Sequence, residues 1–295
     1  MRNKYILIFL LSIMLLLWGC SGSPEKISIG IIPAREPERM LNNFEPVRAY
    51  LEKEIGIPVT VTVPDNYFGL IESMNQNKVD IGFLGPFSYV TAEKQIDLEP
   101  LLFAARKDTG TSYHSLIIAR KDAGIRTIED LKGKKFAFVD PGSTSGFIIP
   151  SALFKSRDID VNQYFSKTIY SGSHDSVVMD VLNKKVDAGA VADMNLRRVM
   201  DYAKIGNEEF IAVWKSDDIP GSPIVARADL DNTLKEKFIT AMLLIHEKDP
   251  QAIKYFDSNI EKYVATDKSI YNGVRNIANI LGEEFVNEHF LQKNQ

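Results

Sequence analysis

Two stretches of this chain, 107 residues apart, carry one pattern, and that repeat restricts the fold more than any other feature. Residues 67–83 read YFGLIESMNQNKVDIGF, and residues 174–190 read HDSVVMDVLNKKVDAGA. Without a gap, Lys78, Val79, Asp80 and Gly82 fall on Lys185, Val186, Asp187 and Gly189. Leu70, Ile71 and Met74 fall on Val177, Val178 and Val181, so the apolar positions repeat as well. The prolines at the exits of the preceding strands, Pro33 and Pro141, stand 108 apart. Each half therefore carries the same strand–loop–helix–strand module. At 295 residues the chain has room for two such units, since a domain takes roughly 100–200 residues.

Periodicity supports the same division. Residues 26–32 (KISIGII) read as a buried strand, and Leu41, Phe44, Val47 and Leu51 at helical spacing predict a helix over 38–55. Residues 58–63 read as a second strand, 67–75 as a helix and 79–83 as a third strand. The alternation restarts with a strand at 135–139, a helix at 145–154, a strand at 168–170, a helix at 175–182 and a strand at 188–191. In the tail, Leu234, Phe238, Met242 and Ile245 form one helical stripe, and 267–281 predicts a further helix. Strands alternating with helices imply βαβ units.

The N-terminus is an export signal. Arg2 and Lys4 precede a 14-residue apolar run from Tyr5 to Trp18, broken only by Ser12. That run is too short for a spanning helix, which takes about 20 residues, and suits a signal core of about 7–15. It ends in Leu17-Trp18-Gly19-Cys20, which resembles a bacterial lipoprotein signal with Cys20 as the residue to be acylated. Cys20 is also the single cysteine of the chain, so no disulfide framework or multi-cysteine metal site is available. Cleavage before Cys20 removes residues 1–19 and leaves 20–26 as a flexible tether. It also takes the 35 basic residues to 33 against 39 acidic ones, a net −6, so nucleic acid is not an expected partner.

Two similar α/β lobes behind a lipidated signal describe an extracytoplasmic binding protein. The expected fold is a two-lobed periplasmic binding protein of type II, each lobe a βαβ-built mixed sheet with the ligand cleft between lobes. One lobe takes residues 27–112 and 223–295, the other 113–222, with crossings near Tyr113 and Pro220–Pro223. Ligands of open α/β sheets sit outside the carboxyl ends of the strands, so two facing lobes build one cleft.

The loop Asp140-Pro141-Gly142-Ser143-Thr144-Ser145-Gly146 joins a strand to a helix. Backbone N–H groups at a helix start have no intrahelical acceptor, and the dipole there favours an anion. Ser143, Thr144 and Ser145 add three hydroxyl donors without charge, more than one N-cap requires. The lysine of a nucleotide-binding GxxxxGK[ST] loop is missing, so nucleotide hydrolysis is not indicated. His174 opens a helix in Gly172-Ser173-His174-Asp175, and the repeat places Tyr67 at the matching helix start of the other lobe. A helix N-terminus lowers a histidine's pKa, so His174 becomes cationic only if a bound dianion offsets that effect. The four histidines, His114, His174, His246 and His289, show no metal spacing, and no cofactor motif is present.

Residues 142–147 (GSTSGF), 172–176 (GSHDS), 83–89 (FLGPFSY), Tyr113-His114-Ser115 and 219–225 (IPGSPIV) together resemble the phosphonate/phosphite/phosphate-binding proteins of ABC transporters. The similarity runs in order along the mature chain, and the serine–threonine–serine loop is its most specific part. It implies a non-enzymatic protein that delivers a small phosphorus oxyanion to a membrane permease. It implies that Ser143, Thr144, Ser145 and His174 hold the oxyanion from the second lobe, that Tyr67 closes from the first, and that Tyr113 contributes at the crossing. Ser88, in the turn Gly85–Tyr89, is a further candidate for the cleft. Asp193 and Ser222 lie in the segments expected to meet a ligand's substituent. Asp193 is the only acid there, which argues against strong selection of an aminoalkyl tail, and phosphite, methylphosphonate or phosphate fit at least as well.

Other readings have distinguishable signatures. A serine–histidine esterase lacks its GxSxG elbow here. A ligand sensor for a membrane kinase, or a carrier of another small anion such as a sulfonate, would use the same architecture. The expected state is a lipid-anchored, exported monomer.

Overall fold

A computed structural model describes residues 26–288 except Asn207. The predicted signal peptide, Cys20 and the tether up to residue 25 lie outside the described residues, as does His289. The chain begins with β1 (Ile27–Ile31), α1 (Pro37–Ile55), β2 (Val59–Thr62), α2 (Tyr67–Asn75), β3 (Ile81–Phe83), α3 (Pro86–Ala92) and β4 (Leu98–Arg106). It passes through β5 (Ser112–Tyr113) into β6 (Ser115–Arg120) and β7 (Lys135–Phe138), then a π-helical turn (Thr144–Ile148) that continues as α4 (Ile149–Ser156). Next come α5 (Val161–Tyr164), β8 (Lys167–Tyr170), α6 (His174–Leu182), β9 (Ala188–Ala192), α7 (Asp193–Ala203) and β10 (Phe210–Lys215). The return runs through β11 (Ile219–Pro220), β12 (Pro223–Arg227), α8 (Asn232–Lys248), α9 (Pro250–Phe256), β13 (Ile260–Ala265), α10 (Asn272–Leu281) and α11 (Glu283–Val286).

Two mixed sheets result. One has the order β13-β4-β12-β3-β1-β2 and the other β10-β6-β9-β7-β8. In each, the first strand of the module lies between its two parallel partners: β1 pairs β2 and β3, and β7 pairs β8 and β9. An antiparallel strand then docks on the outer parallel partner, β12 on β3 and β6 on β9. The two crossings pair with each other as a short ribbon, Ile219 with Tyr113 and Pro220 with Ser112.

The repeat has a physical cause in each sheet. Asp80 N–H donates to Ser28 O, and its carboxylate accepts Ser28 N–H at 2.8 Å. Asp187 does the same with Lys135, N–H to O at 2.9 Å and carboxylate from N–H at 2.8 Å. Each aspartate thus pins the start of the central strand to the strand it precedes. The preceding turn needs a left-handed residue, supplied by Asn77 (φ 58°) and Lys184 (φ 62°). The glycines that follow allow close helix packing: a Cβ on Gly82 would stand 2.6 Å from Met74 Sδ, and one on Gly189 2.6 Å from Val177 Cγ1. The helices of the two modules are capped alike, α2 by Asn66 and α6 by Ser173.

Local packing differs from the periodicity in places. In α1 the buried stripe is Met40, Phe44, Val47, Tyr50, Leu51 and Ile55, while Leu41 points outward at 38% exposure. The third strand starts at Ile81 because Val79 and Asp80 belong to the turn. The helix predicted at 145–154 opens as a π-turn. Pro150 has no N–H for the carbonyl of Gly146, and that oxygen instead accepts Val139 N–H at 3.1 Å. The antiparallel strands β4 and β6 escape a periodicity search because runs such as SLIIAR are apolar without alternation, being covered on both faces. Among the described residues, no helix is long and apolar enough to cross a membrane.

Candidate functional site

The loop after β7 is shaped by its own side chains. Gly142 N–H donates to Asp140 Oδ1 at 2.7 Å, which folds the chain back before the helix. Ser143 is the N-cap, its Oγ accepting Gly146 N–H at 3.0 Å. A hydroxyl has one donor and two acceptor sites, so this cap leaves the Ser143 proton to be given elsewhere. Gly146 is required for closeness, because a Cβ there would meet Val139 Cγ2 at 2.3 Å and Ser143 Oγ at 2.9 Å. Ser145 is held through its carbonyl, which accepts Ser115 Oγ–H at 2.6 Å. The N–H groups of Thr144 and Ser145 open the turn, where helical geometry offers no acceptor. Ser143, Thr144 and Ser145 are all buried.

Residues from the first sheet close over this loop. Phe87 N–H donates to Thr144 Oγ1 at 2.9 Å, and Ser88 Oγ–H donates to Gly142 O at 3.0 Å. Tyr67, at the first position of α2, is 1% exposed, and its hydroxyl engages the Ser143 side chain. Burial pushes its phenol well up, with the negative charge of Asp140 adding to the rise, so it is a neutral donor. Tyr113, on the crossing ribbon, engages Thr144, Ser145 and Ser222 together. Burial raises its phenol above the ordinary tyrosine value, against the pull of those three hydroxyls. Tyr67 from the first lobe and Tyr113 from the crossing are therefore both buried beside one loop.

His174 opens α6 and is buried. Its backbone N–H donates across the cleft to Ala34 O at 3.2 Å, and Asn195 Nδ2 donates to the same carbonyl at 3.4 Å. Its ring Nδ1 accepts Ala192 N–H at 3.1 Å. An accepting Nδ1 carries no proton, so the neutral ring holds its proton on Nε2 and offers one uncharged donor. Burial, and then the nearby Arg198 guanidinium, lower the ring's pKa to about 3. Protonating Nδ1 would also set two donors against each other, so the ring is held neutral by geometry as well as by burial. The cation considered from the sequence is therefore disfavoured for a reason the helix terminus alone does not supply.

Tyr67, Tyr113, Ser143, Thr144 and Ser145 are thus brought into one polar cluster, with Ser88 and Ser222 against its rim. Asp193 is turned to another task. Its carboxylate accepts His114 N–H at 3.2 Å and Met194 N–H at 2.6 Å, and faces His114 Nδ1 at 3.0 Å. His114 Nε2 lies 2.8 Å from Asp218, so this chain of contacts ties one crossing to the other. Among the described residues, no group of three His, Cys, Asp or Glu side chains is arranged to hold a metal. Sequence reasoning does not single out Ala34, Phe87 or Asn195, because two of them act through the backbone, which carries no residue signature. Nor does it single out Arg35, Arg198 and Asp257, which meet beside the cleft from three distant segments.

Known proteins resemble this chain in sequence and in fold. A family model described as "ABC transporter, phosphonate, periplasmic substrate-binding protein" matches residues 29–271. The phosphate-import protein PhnD of Mycolicibacterium smegmatis is 32% identical over 303 residues, covering 92% of this chain and 94% of the relative. The structure of a binding protein component of an ABC phosphonate transporter from Pseudomonas aeruginosa superposes with a TM-score of 0.80 at 25% identity, covering 90% of this chain and 89% of that one. PhnD1 of Prochlorococcus marinus, in complex with methylphosphonate, superposes with a TM-score of 0.78 at 20% identity, covering 88% and 99%. These neighbours share the two-lobed fold.

Proposed function

Because the chain belongs to the phosphonate family of periplasmic substrate-binding proteins of ABC transporters, we propose that it captures a small tetrahedral phosphorus oxyanion between its lobes. Its partner is the membrane permease of such a transporter, to which it hands the ligand. The family binds and delivers substrate and is not a family of enzymes. The observation that carries the ligand assignment is the buried hydroxyl loop Ser143-Thr144-Ser145 at a helix start, with Tyr67 and Tyr113 buried beside it and the first lobe's Phe87 N–H bonded to Thr144 Oγ1.

In this reading the three hydroxyls, the N–H groups of the opening turn and His174 Nε2–H receive the oxyanion from the second lobe. Tyr67 donates from the first lobe and Tyr113 from the crossing. All of these donors are uncharged, which suits a ligand that must be released, since a buried ion pair holds its partner harder than neutral donors do. Ser88 and Ser222 support the donors from behind, and Asp193 braces the crossing. The bodies that move are residues 27–112 with 223–295 and residues 113–222, hinged at the β5–β11 ribbon. Acylated Cys20 tethers a monomer to the outer face of the membrane.

The test is calorimetry with methylphosphonate, phosphite and phosphate. The unaltered protein is expected to bind at least one of them saturably. Thr144→Ala removes one hydrogen bond to a charged group, worth about 1.5–3 kcal/mol, which weakens affinity roughly ten- to hundredfold. Absence of binding by the unaltered protein, or equal affinity in the variant, would refute the reading.

A further inference from the structure

A second chamber lies beside the oxyanion cradle. It is a cavity of about 120 Å³ with walls from both sheets. Its walls touch the cradle at three points. Ala34 accepts the N–H of His174, Ser222 lies near Tyr113, and Leu84 precedes Gly85, whose Cβ position lies 3.4 Å from Thr144 Oγ1.

Most of the wall is apolar, with Ile31, Phe83 and Ile224 among its side chains, but three guanidinium groups line it: Arg35, Arg106 and Arg198. Only one carboxylate, Asp257, lines it with them. Asp257 is shared, taking Arg35 Nη2 at 2.8 Å and Arg106 Nη1 at 3.1 Å. Arg198 is paired with Asp175, which is not part of the wall. Arg35 comes from the first lobe and Arg198 from the second, so closure brings two cations to one space. Burial, and next the charge of Arg198, lower the Arg35 pKa to about 10, while Asp257 falls to about 2 because the pull of Arg106 and Arg35 outweighs the burial that opposes it. The chamber wall therefore carries three guanidinium groups against one carboxylate. An ammonium group would worsen the imbalance, since Asp257 and Asp193 are both already engaged.

Resting on the phosphorus-oxyanion reading, we propose that the preferred ligand is a phosphonate whose short substituent ends in a carboxylate. The carbon link lies along the apolar wall and the carboxylate meets Arg35 and Arg198. A water takes about 30 Å³, so the chamber holds roughly four such groups, enough for a carboxymethyl or carboxyethyl unit.

The experiment is a calorimetric series on the purified protein with methylphosphonate, ethylphosphonate, phosphonoacetate and 2-aminoethylphosphonate. Phosphonoacetate is expected to bind at least tenfold tighter than ethylphosphonate, and 2-aminoethylphosphonate weakest. In Arg35→Gln the ratio of phosphonoacetate to ethylphosphonate affinity falls towards one. Phosphonoacetate binding no tighter than ethylphosphonate, while methylphosphonate still binds, overturns the carboxylate and leaves the phosphorus reading standing. If no phosphorus compound binds, the reading and the proposal fall together.

Discussion

His174 sits at the first position of α6 with two of its groups committed, its N–H to Ala34 O and its Nδ1 to Ala192 N–H. The ring is thereby oriented and its tautomer set before any ligand arrives, which is the preorganisation a reversible binder needs. The same burial makes it a stability probe. Its pKa is about 3 in the folded protein against 6.5 when unfolded, so between those values the unfolded chain takes up the proton and the folded one does not. Stability from this group is complete above pH 6.5 and is lost as the pH falls towards 3, by up to about 1.4 kcal/mol per pH unit. Urea melts at pH 4.5 and 7.5 should show that loss in the unaltered protein and a smaller one in His174→Gln. An equal loss in both would mean that the ring is solvated in the folded state. The presence of His174 at a helix start is legible from Ser173-His174-Asp175, but its tautomer is not, because Ala192 lies 18 residues away.

At the scale of elements, the repeat is explained by what Asp80 and Asp187 do. Each carboxylate satisfies a strand-initiating N–H that has no ladder partner, while its own N–H bonds back to the same residue. Asp187→Ala is expected to lower unfolding free energy by about 1–2 kcal/mol. Asp80→Ala should lower it further, because Asp80 also accepts Ser28 Oγ–H at 2.6 Å. Denaturant midpoints check the order, and a larger effect at Asp187 would contradict this account. Helix starts, parallel strands and the Lys-Val-Asp-x-Gly turns can be read from sequence because their causes lie within one module. The π-turn at Thr144–Ile148 is less legible. Pro150 announces a disturbance, but the acceptor it frees is claimed by Val139, and only the fold brings that donor near.

For the molecule as a whole, specific contacts join the lobes. Phe87 meets Thr144, Ala34 meets His174, and the Arg39 guanidinium lies 4.3 Å from the Tyr202 ring centroid. Such contacts need a closed cleft, so small-angle scattering should show a smaller radius of gyration with methylphosphonate than without. No change on saturation would argue against closure as the capture step. At the other end of the chain, Cys20→Ser is expected to shift the protein from the membrane to the soluble fraction, and an unchanged membrane share would remove the anchor. The sequence by itself determined the doubled βαβ module and the hydroxyl-rich helix start, because each is written in neighbouring residues through periodicity, caps and turn chemistry. Only the tertiary structure decided that Phe87 N–H reaches Thr144, that Asp193 braces the crossing, and that Arg35, Arg106 and Arg198 share one chamber. The physical reason is distance along the chain: those groups lie tens to well over a hundred residues apart, and their charges and hydrogen bonds acquire meaning only when the two sheets set them side by side away from water.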